Sequence, residues 1–319
     1  MMRRLASALA LSAALAACNG TTGDELIRFE AYAAGVSQAG QPFTTSNGYS
    51  VQLTTAKMRI GAVYLNEAPL ATGAEGPSCL NPGVYAAQVP GGIEVDLLSS
   101  QPQEFSVYGN GSIDPSLSWE LWLTDGDVNG VNTAHMVDLQ GVATRLADGQ
   151  TFSFGAIVTI NDNRIPKASD PSQPGLNPIC KQRIVQIGGI DMALAGGGKL
   201  LVTVDPRRWF SLDLDFSQLP LASSSVCQLD PDSTYAYVPE TPAAGTCGAS
   251  GQGCCGASDP SGDFGTCDDG LACNGGVCGA QYCIPDTNYA TGLGSLQGQE
   301  LFSGIHNGGG AAYSVSFSK

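Results

Sequence analysis

Positive charge is scarce in this chain. Fourteen lysines and arginines stand against 29 aspartates and glutamates over 319 residues. Arg3 and Arg4 lie at the extreme N-terminus, so the chain beyond Cys18 holds twelve basic residues against all 29 acidic ones, a net charge of −17. Such a surface repels phosphate backbones, which excludes nucleic acid as an expected partner, and it favours divalent cations. Histidine is almost missing, with only His135 and His306. No H-E-x-x-H, G-x-S-x-G, Walker loop or G-x-G-x-x-G occurs, so the usual signatures of zinc proteases, serine hydrolases and nucleotide-binding enzymes are lacking. Beyond the N-terminal segment no apolar run is long enough for a transmembrane helix. No window of a dozen residues keeps a helical i, i+3, i+4, i+7 stripe free of glycine, and 42 glycines disfavour long helices further.

What is present begins with an export signal. Met1, Met2, Arg3 and Arg4 form a basic start, Leu5 to Ala14 a short apolar run, and Leu15-Ala16-Ala17-Cys18 follows. The last four residues resemble the bacterial lipobox, in which the cysteine is lipidated and becomes the mature N-terminus. The resemblance implies a multiply acylated Cys18, and more than one acyl chain anchors a protein stably. Asn19 after the cysteine, in place of an aspartate, points to the outer membrane or cell surface over the inner membrane. The expected partners are therefore the membrane, through Cys18, and an envelope or extracellular protein or glycan.

Residues 1–17 read as the signal peptide, 18–24 as a tether and 25–220 as a β domain. Ile27, Phe29 and Ala31 alternate with polar neighbours. Val51 to Leu65 reads as a long strand or a hairpin with a slip near Gly61. Val84–Val89 and Ile93–Leu98 read as a strand pair about the Pro90-Gly91-Gly92 turn, and Glu104–Tyr108 as a further short strand. Trp119, Leu121 and Leu123 share one face, with Ser118, Glu120 and Trp122 on the other. Strands over 135–139, 142–146, 152–160, 183–187, 190–194 and 200–204 follow, with Gly188-Gly189 and Gly196-Gly197-Gly198 as breaks. Asp213 and Asp215 read as the solvent face of another strand, and Asp205 to Phe210 as a turn with Trp209 in the core. Glu300–Ile305 and Ala312–Phe317 resume the alternation, so 298–319 is expected to return to the β domain as strand. Many short strands separated by Gly/Pro turns predict an all-β fold, a sandwich or barrel of short antiparallel strands.

Residues 221–297 differ: Ser, Gly, Pro and Cys dominate and apolar residues thin out, so this reads as a disulfide-rich, loop-dominated insert. With Cys18 set aside, ten cysteines remain, enough for five disulfides in an exported chain. Cys227 and Cys283 bracket the insert and are expected to pair at its base, which leaves Cys79 and Cys180 for each other. The six in 247–278 (Cys247, Cys254, Cys255, Cys267, Cys273 and Cys278) allow fifteen pairings, and spacing alone does not choose. Their order resembles the knottins, and Gly251 to Cys255 with Gly270 to Cys278 resembles a cysteine module of exported myxobacterial lipoproteins. The knottin resemblance implies Cys247–Cys267, Cys254–Cys273 and Cys255–Cys278.

One ligand motif stands out. Asp125-Gly126-Asp127-Val128-Asn129-Gly130 matches the D-x-D-x-N-G core of calcium loops, with Asp125, Asp127 and Asn129 as side-chain ligands and Val131 as a carbonyl ligand. Position twelve of an EF-hand is Met136 here, so calcium would bind in a strand-flanked loop completed by distant ligands. The chain thus reads as a lipid-anchored binding or structural protein of the cell envelope, stabilised by calcium. The alternatives are a periplasmic copper-handling protein using His135, Met136 and His306, and a carbohydrate-active hydrolase whose carboxylates the sequence does not single out.

Overall fold

The computed structural model describes residues 26–68, 85–123, 135–159, 184–210, 214–221, 271–274, 277–285, 296–307 and 312–319. Among these the chain is mostly β, as its alternating pattern predicts. The strands are β1 (Ile27–Gly35), β2 (Phe43–Thr44), β3 (Tyr49–Ile60), β4 (Ala62–Asn66), β5 (Tyr85–Val89), β6 (Ile93–Asp96), β7 (Gln103–Glu104) and β8 (Gly109–Gly111). After them come β9 (Ser116–Trp122), β10 (His135–Arg145), β11 (Thr151–Thr159), β12 (Ile184–Met192), β13 (Lys199–Val204), β14 (Leu271–Asn274), β15 (Val277–Ile284) and β16 (Tyr313–Ser318).

They form two sheets. One runs β12-β9-β4-β5-β8-β1-β13-β16, with β7 also on β1; its outermost strands, β12 and β16, come into contact, so the sheet curls almost into a barrel. The other runs β14-β15-β11-β10-β3-β2, with β6 also on β3. Both sheets contribute to one core that includes Phe29, Met58, Trp119, Phe154, Val202 and Phe216, each at most 1% exposed. Most pairs are antiparallel as expected, but β1 lies parallel to β13 and β11 parallel to β15. These long-range pairings leave no local trace, because parallel neighbours are joined by distant crossovers instead of hairpin turns.

The slip near Gly61 is a change of sheet. Strand β3 ends at Ile60 opposite Ile93 of β6, while β4 pairs Val63 with Val89 of β5 in the other sheet. β3–β4 and β5–β6 are therefore one bent antiparallel ribbon, crossing between sheets at Gly61 and at 90–92. The strands expected to pair about Pro90-Gly91-Gly92 instead lie end to end in different sheets. The crossing points abut: a Cβ on Gly92 would sit 2.9 Å from the Ile60 carbonyl oxygen and 3.4 Å from the Gly61 Cα. Glycine lets the two backbones approach this closely.

Three local expectations change. Residues 104–108 hold only the end of β7, followed by the buried Phe105. Asp215 caps a 3-10 turn, Phe216–Gln218, accepting from the Ser217 N–H at 2.9 Å and from the Tyr49 hydroxyl at 2.5 Å. Burial raises its pKa, but those hydrogen bonds outweigh burial and hold the carboxyl below its usual range. Thirdly, Leu296–Asn307 is a helix, α1, where strand was expected.

The helix buries Gln297, Leu301 and Ile305, one apolar-facing row at i, i+4. Its two glycines argue against helix on propensity, yet Gly304 is there for packing. A Cβ at Gly304 would lie 1.9 Å from the Trp209 carbonyl oxygen. The helix thus sits directly on the 3-10 turn Pro206–Phe210, where Trp209 is 1% exposed and Asp205 holds the Arg207 guanidinium through two 2.8 Å hydrogen bonds. The turn reading of this segment, with Trp209 in the core, holds. The Tyr313 hydroxyl, at the start of β16, donates to the Ile305 carbonyl at 2.6 Å and ties helix to strand.

Candidate functional site

Strand β9 alternates so that Trp119 and Leu121 enter the core while Ser118, Glu120 and Trp122 face outward. That outer face is also buried: Ser118 is 1% exposed, Glu120 4% and Trp122 5%. The Trp122 indole N–H donates to the Glu120 carboxylate at 3.1 Å. Tyr64, directly across on β4, packs its ring 4.8 Å from Trp122 and 4.7 Å from Tyr85 of β5. Burial, then the Glu120 charge, pushes the Tyr85 phenol up to about 12 and moves Tyr64 the same way, so both hydroxyls stay protonated donors. Asn66 donates to the Ser118 hydroxyl at 3.4 Å, and Ser118 donates to the Ala68 carbonyl at 2.7 Å.

This cluster is the buried part of a row, and beyond it the register of β12 sets Gln186 opposite Glu120. Sheet register places Glu120 opposite Tyr64, Tyr64 opposite Gln88, Gln88 opposite Asn110, and Asn110 opposite Arg28. Opposite residues share a face, so five side chains line up across β9, β4, β5, β8 and β1. Four strand spacings of ~4.8 Å give the row a length of about 19 Å. The row opens progressively: Glu120 is buried, Tyr64 and Gln88 are half-buried, and Asn110 and Arg28 are exposed. Gln88 donates to Asn110 at 3.4 Å, and the Arg28 guanidinium lies over the Tyr108 ring at 3.9 Å. Aromatic faces, amides and a carboxylate together suit a ligand with both flat apolar faces and hydroxyls.

The residues singled out from sequence fall mostly elsewhere. Cys18 and the calcium set Asp125, Asp127, Asn129 and Val131 lie outside the described residues. The flanks of that loop are described: it leaves β9 in the larger sheet and returns as β10 in the smaller one. Cys79, Cys180, Cys227, Cys247, Cys254, Cys255 and Cys267 also lie outside the described residues. Cys273 and Cys278 face each other across the β14–β15 hairpin. Cys283, 2% exposed, is disulfide-bonded. It lies five residues along β15 from Cys278, about 17 Å at strand rise, and a disulfide tolerates only about 7 Å between Cα atoms. Its partner is therefore neither Cys278 nor Cys273.

Residues 220–221 and 282–283 lie together. The Cys283 N–H donates to the Pro220 carbonyl at 3.0 Å, and Leu221 bridges Tyr282. Residues 281–284 pair with β11, and Tyr282 packs 5.5 Å from Phe152, so the end of the insert segment is itself scaffold.

For the copper alternative, Met136 is fully buried in the core, and among the described residues no group of three or more His, Cys, Asp and Glu side chains is placed to hold a metal. For the hydrolase alternative, the buried carboxylates among the described residues are Glu120 and Asp205. They stand on β9 and just after β13, at least three strands apart by either route round the sheet, about 14 Å, beyond the 5–10 Å of a glycosidase pair. No helix among the described residues is long and apolar enough to cross a membrane.

Glu120 and its row were not picked out from sequence. The signal was there in Trp122, a large aromatic on the strand face opposite the core. The pairing of β4, β5, β8 and β1 beside it had no local signature. Compared with protein-family models, with curated proteins and with solved structures, the chain matches none of them.

Proposed function

We propose that the protein is a lipid-anchored binding protein of the cell envelope, held through Cys18 in the outer membrane or at the cell surface, and that it contacts its ligand with the outer face of the nine-stranded sheet. The observation that supports this reading is the row from Glu120 to Arg28, a graded line of polar and aromatic side chains on a face the core does not use. Hydroxyl-radical footprinting tests it. Tyr64, Tyr85 and Tyr108 should be oxidised more slowly in isolated envelopes than in the purified chain, while Leu146 and Leu296, exposed elsewhere, change little. Equal oxidation of all five would reject the face, and an N-terminal peptide without acyl mass at Cys18 would reject the anchor.

The loop carrying Asp125, Asp127, Asn129 and Val131 is proposed to bind calcium and stiffen the junction between the sheets. Calcium held by the native state alone raises the melting temperature. Chelation should therefore lower it, and a chelated chain melting unchanged would remove calcium from the reading. Residues 221–297 are proposed to form a disulfide-rich insert, with Cys227–Cys283 closing its neck and Cys79–Cys180 stapling the β domain. The knottin-like pairing Cys247–Cys267, Cys254–Cys273 and Cys255–Cys278 is proposed within it.

A further inference from the structure

We infer that the ligand of the outer sheet face is a carbohydrate chain, an oligosaccharide or polysaccharide lying across the strands from Tyr64 toward Arg28; this rests on the binding reading above. The side chains in the row set the chemistry. Tyr64 and Tyr85 are half-buried, their rings 4.7 Å apart and tilted by 36°, and the part of this aromatic pair left exposed offers apolar surface to the C–H groups of sugar rings. Gln88 and Asn110 each offer a carbonyl acceptor and an amide donor, which match the vicinal hydroxyls of a sugar. Their mutual hydrogen bond, at 3.4 Å, holds both amides in place before a ligand arrives. Arg28 over Tyr108 gives the exposed end a cation resting on a ring, a second stacking surface with donors at its edge. Glu120 and Trp122, in the buried cluster, fix the position of Tyr64.

Other ligand classes fit the row less well. A nucleic acid meets a net charge of −17. A lipid tail or an apolar protein surface needs a contiguous apolar patch, and the row sets one ring beside two amides and a guanidinium. A monosaccharide would leave most of the reach from Tyr64 to Arg28, about 14 Å across four strands, without contact. A chain of sugars meets all four of these positions.

Affinity electrophoresis of the full chain through gels holding a panel of soluble polysaccharides, neutral and uronic, tests the assignment. At least one polysaccharide should retard the wild-type chain. Gln88→Ala and Asn110→Ala, at positions with little packing, should each weaken that retardation about tenfold, the scale of losing a ligand hydroxyl contact. Tyr64→Phe keeps the ring and should weaken it less. Arg59→Ala, on the other sheet, should migrate like wild type. Retardation that Gln88→Ala and Asn110→Ala leave unchanged would overturn the site. If no polysaccharide retards the chain while Tyr64, Tyr85 and Tyr108 are protected in envelopes, the carbohydrate assignment falls and the binding face stands. If neither occurs, both fall.

Discussion

Trp209→Ala should lower the unfolding free energy by about 3–5 kcal/mol, the range for emptying a buried aromatic site. Trp209 is 1% exposed, and it sits where three separate parts of the fold meet. The 3-10 turn that carries it is pinned by Asp205, whose backbone N–H donates to the Ala312 carbonyl at 2.8 Å. Helix α1 rests on the turn through Gly304, close enough that no Cβ fits between them. Phe210, the next residue, stacks toward Phe216 and meets Phe154 edge-on, so the turn reaches into the core of both sheets. Urea unfolding should show a lower midpoint at an unchanged slope. A loss below about 1 kcal/mol would mean that helix and turn are held together by something other than this side chain.

Cys283→Ser is expected to cost about 2–5 kcal/mol, the usual range for a native disulfide in an exported domain. The residue is 2% exposed and bonded, and its backbone N–H donates to the Pro220 carbonyl at 3.0 Å. Pro220 and Cys283 thus meet across some sixty residues of chain, and if the disulfide closes a loop of that size, removing it frees a long loop in the unfolded state. If Cys227 is the partner, Cys227→Ser should destabilise to a similar extent, and the double variant should add almost nothing further, since both changes delete one bond. Thermal melts of the three variants read this directly. Additive losses would assign Cys283 to a different cysteine, and the insert would then be tied down elsewhere.

Alternation along single strands was legible because it is local. Ile27 to Ala31, Phe152 to Val158 and Tyr313 to Phe317 need only the two-residue period of a pleat to show which side faces the core. Trp209 was read correctly as core for the same reason: a large apolar residue beside a turn has few other places to go. Helix α1 was misread because its two glycines count against helix by propensity, whereas in the fold Gly304 is the only residue that lets the helix touch the turn. Asp215 was misread as strand surface because capping a 3-10 turn requires knowing that Tyr49, 166 residues away, supplies a donor.

By itself the sequence determined the class of structure, the acidic net charge and the Asp125 to Gly130 motif, and it set the expectation of Cys18 as an anchor. Each of these depends on composition or on neighbours within a few residues. Tertiary structure alone decided that one ribbon turns from sheet to sheet at Gly61, that Pro220 and Cys283 meet, and that Glu120, Tyr64, Gln88, Asn110 and Arg28 stand in line. The physical reason is sheet register. Those five residues come from five strands spread over 93 positions, from 28 to 120, and hydrogen bonding between strands is what brings them to a common spacing and a common face.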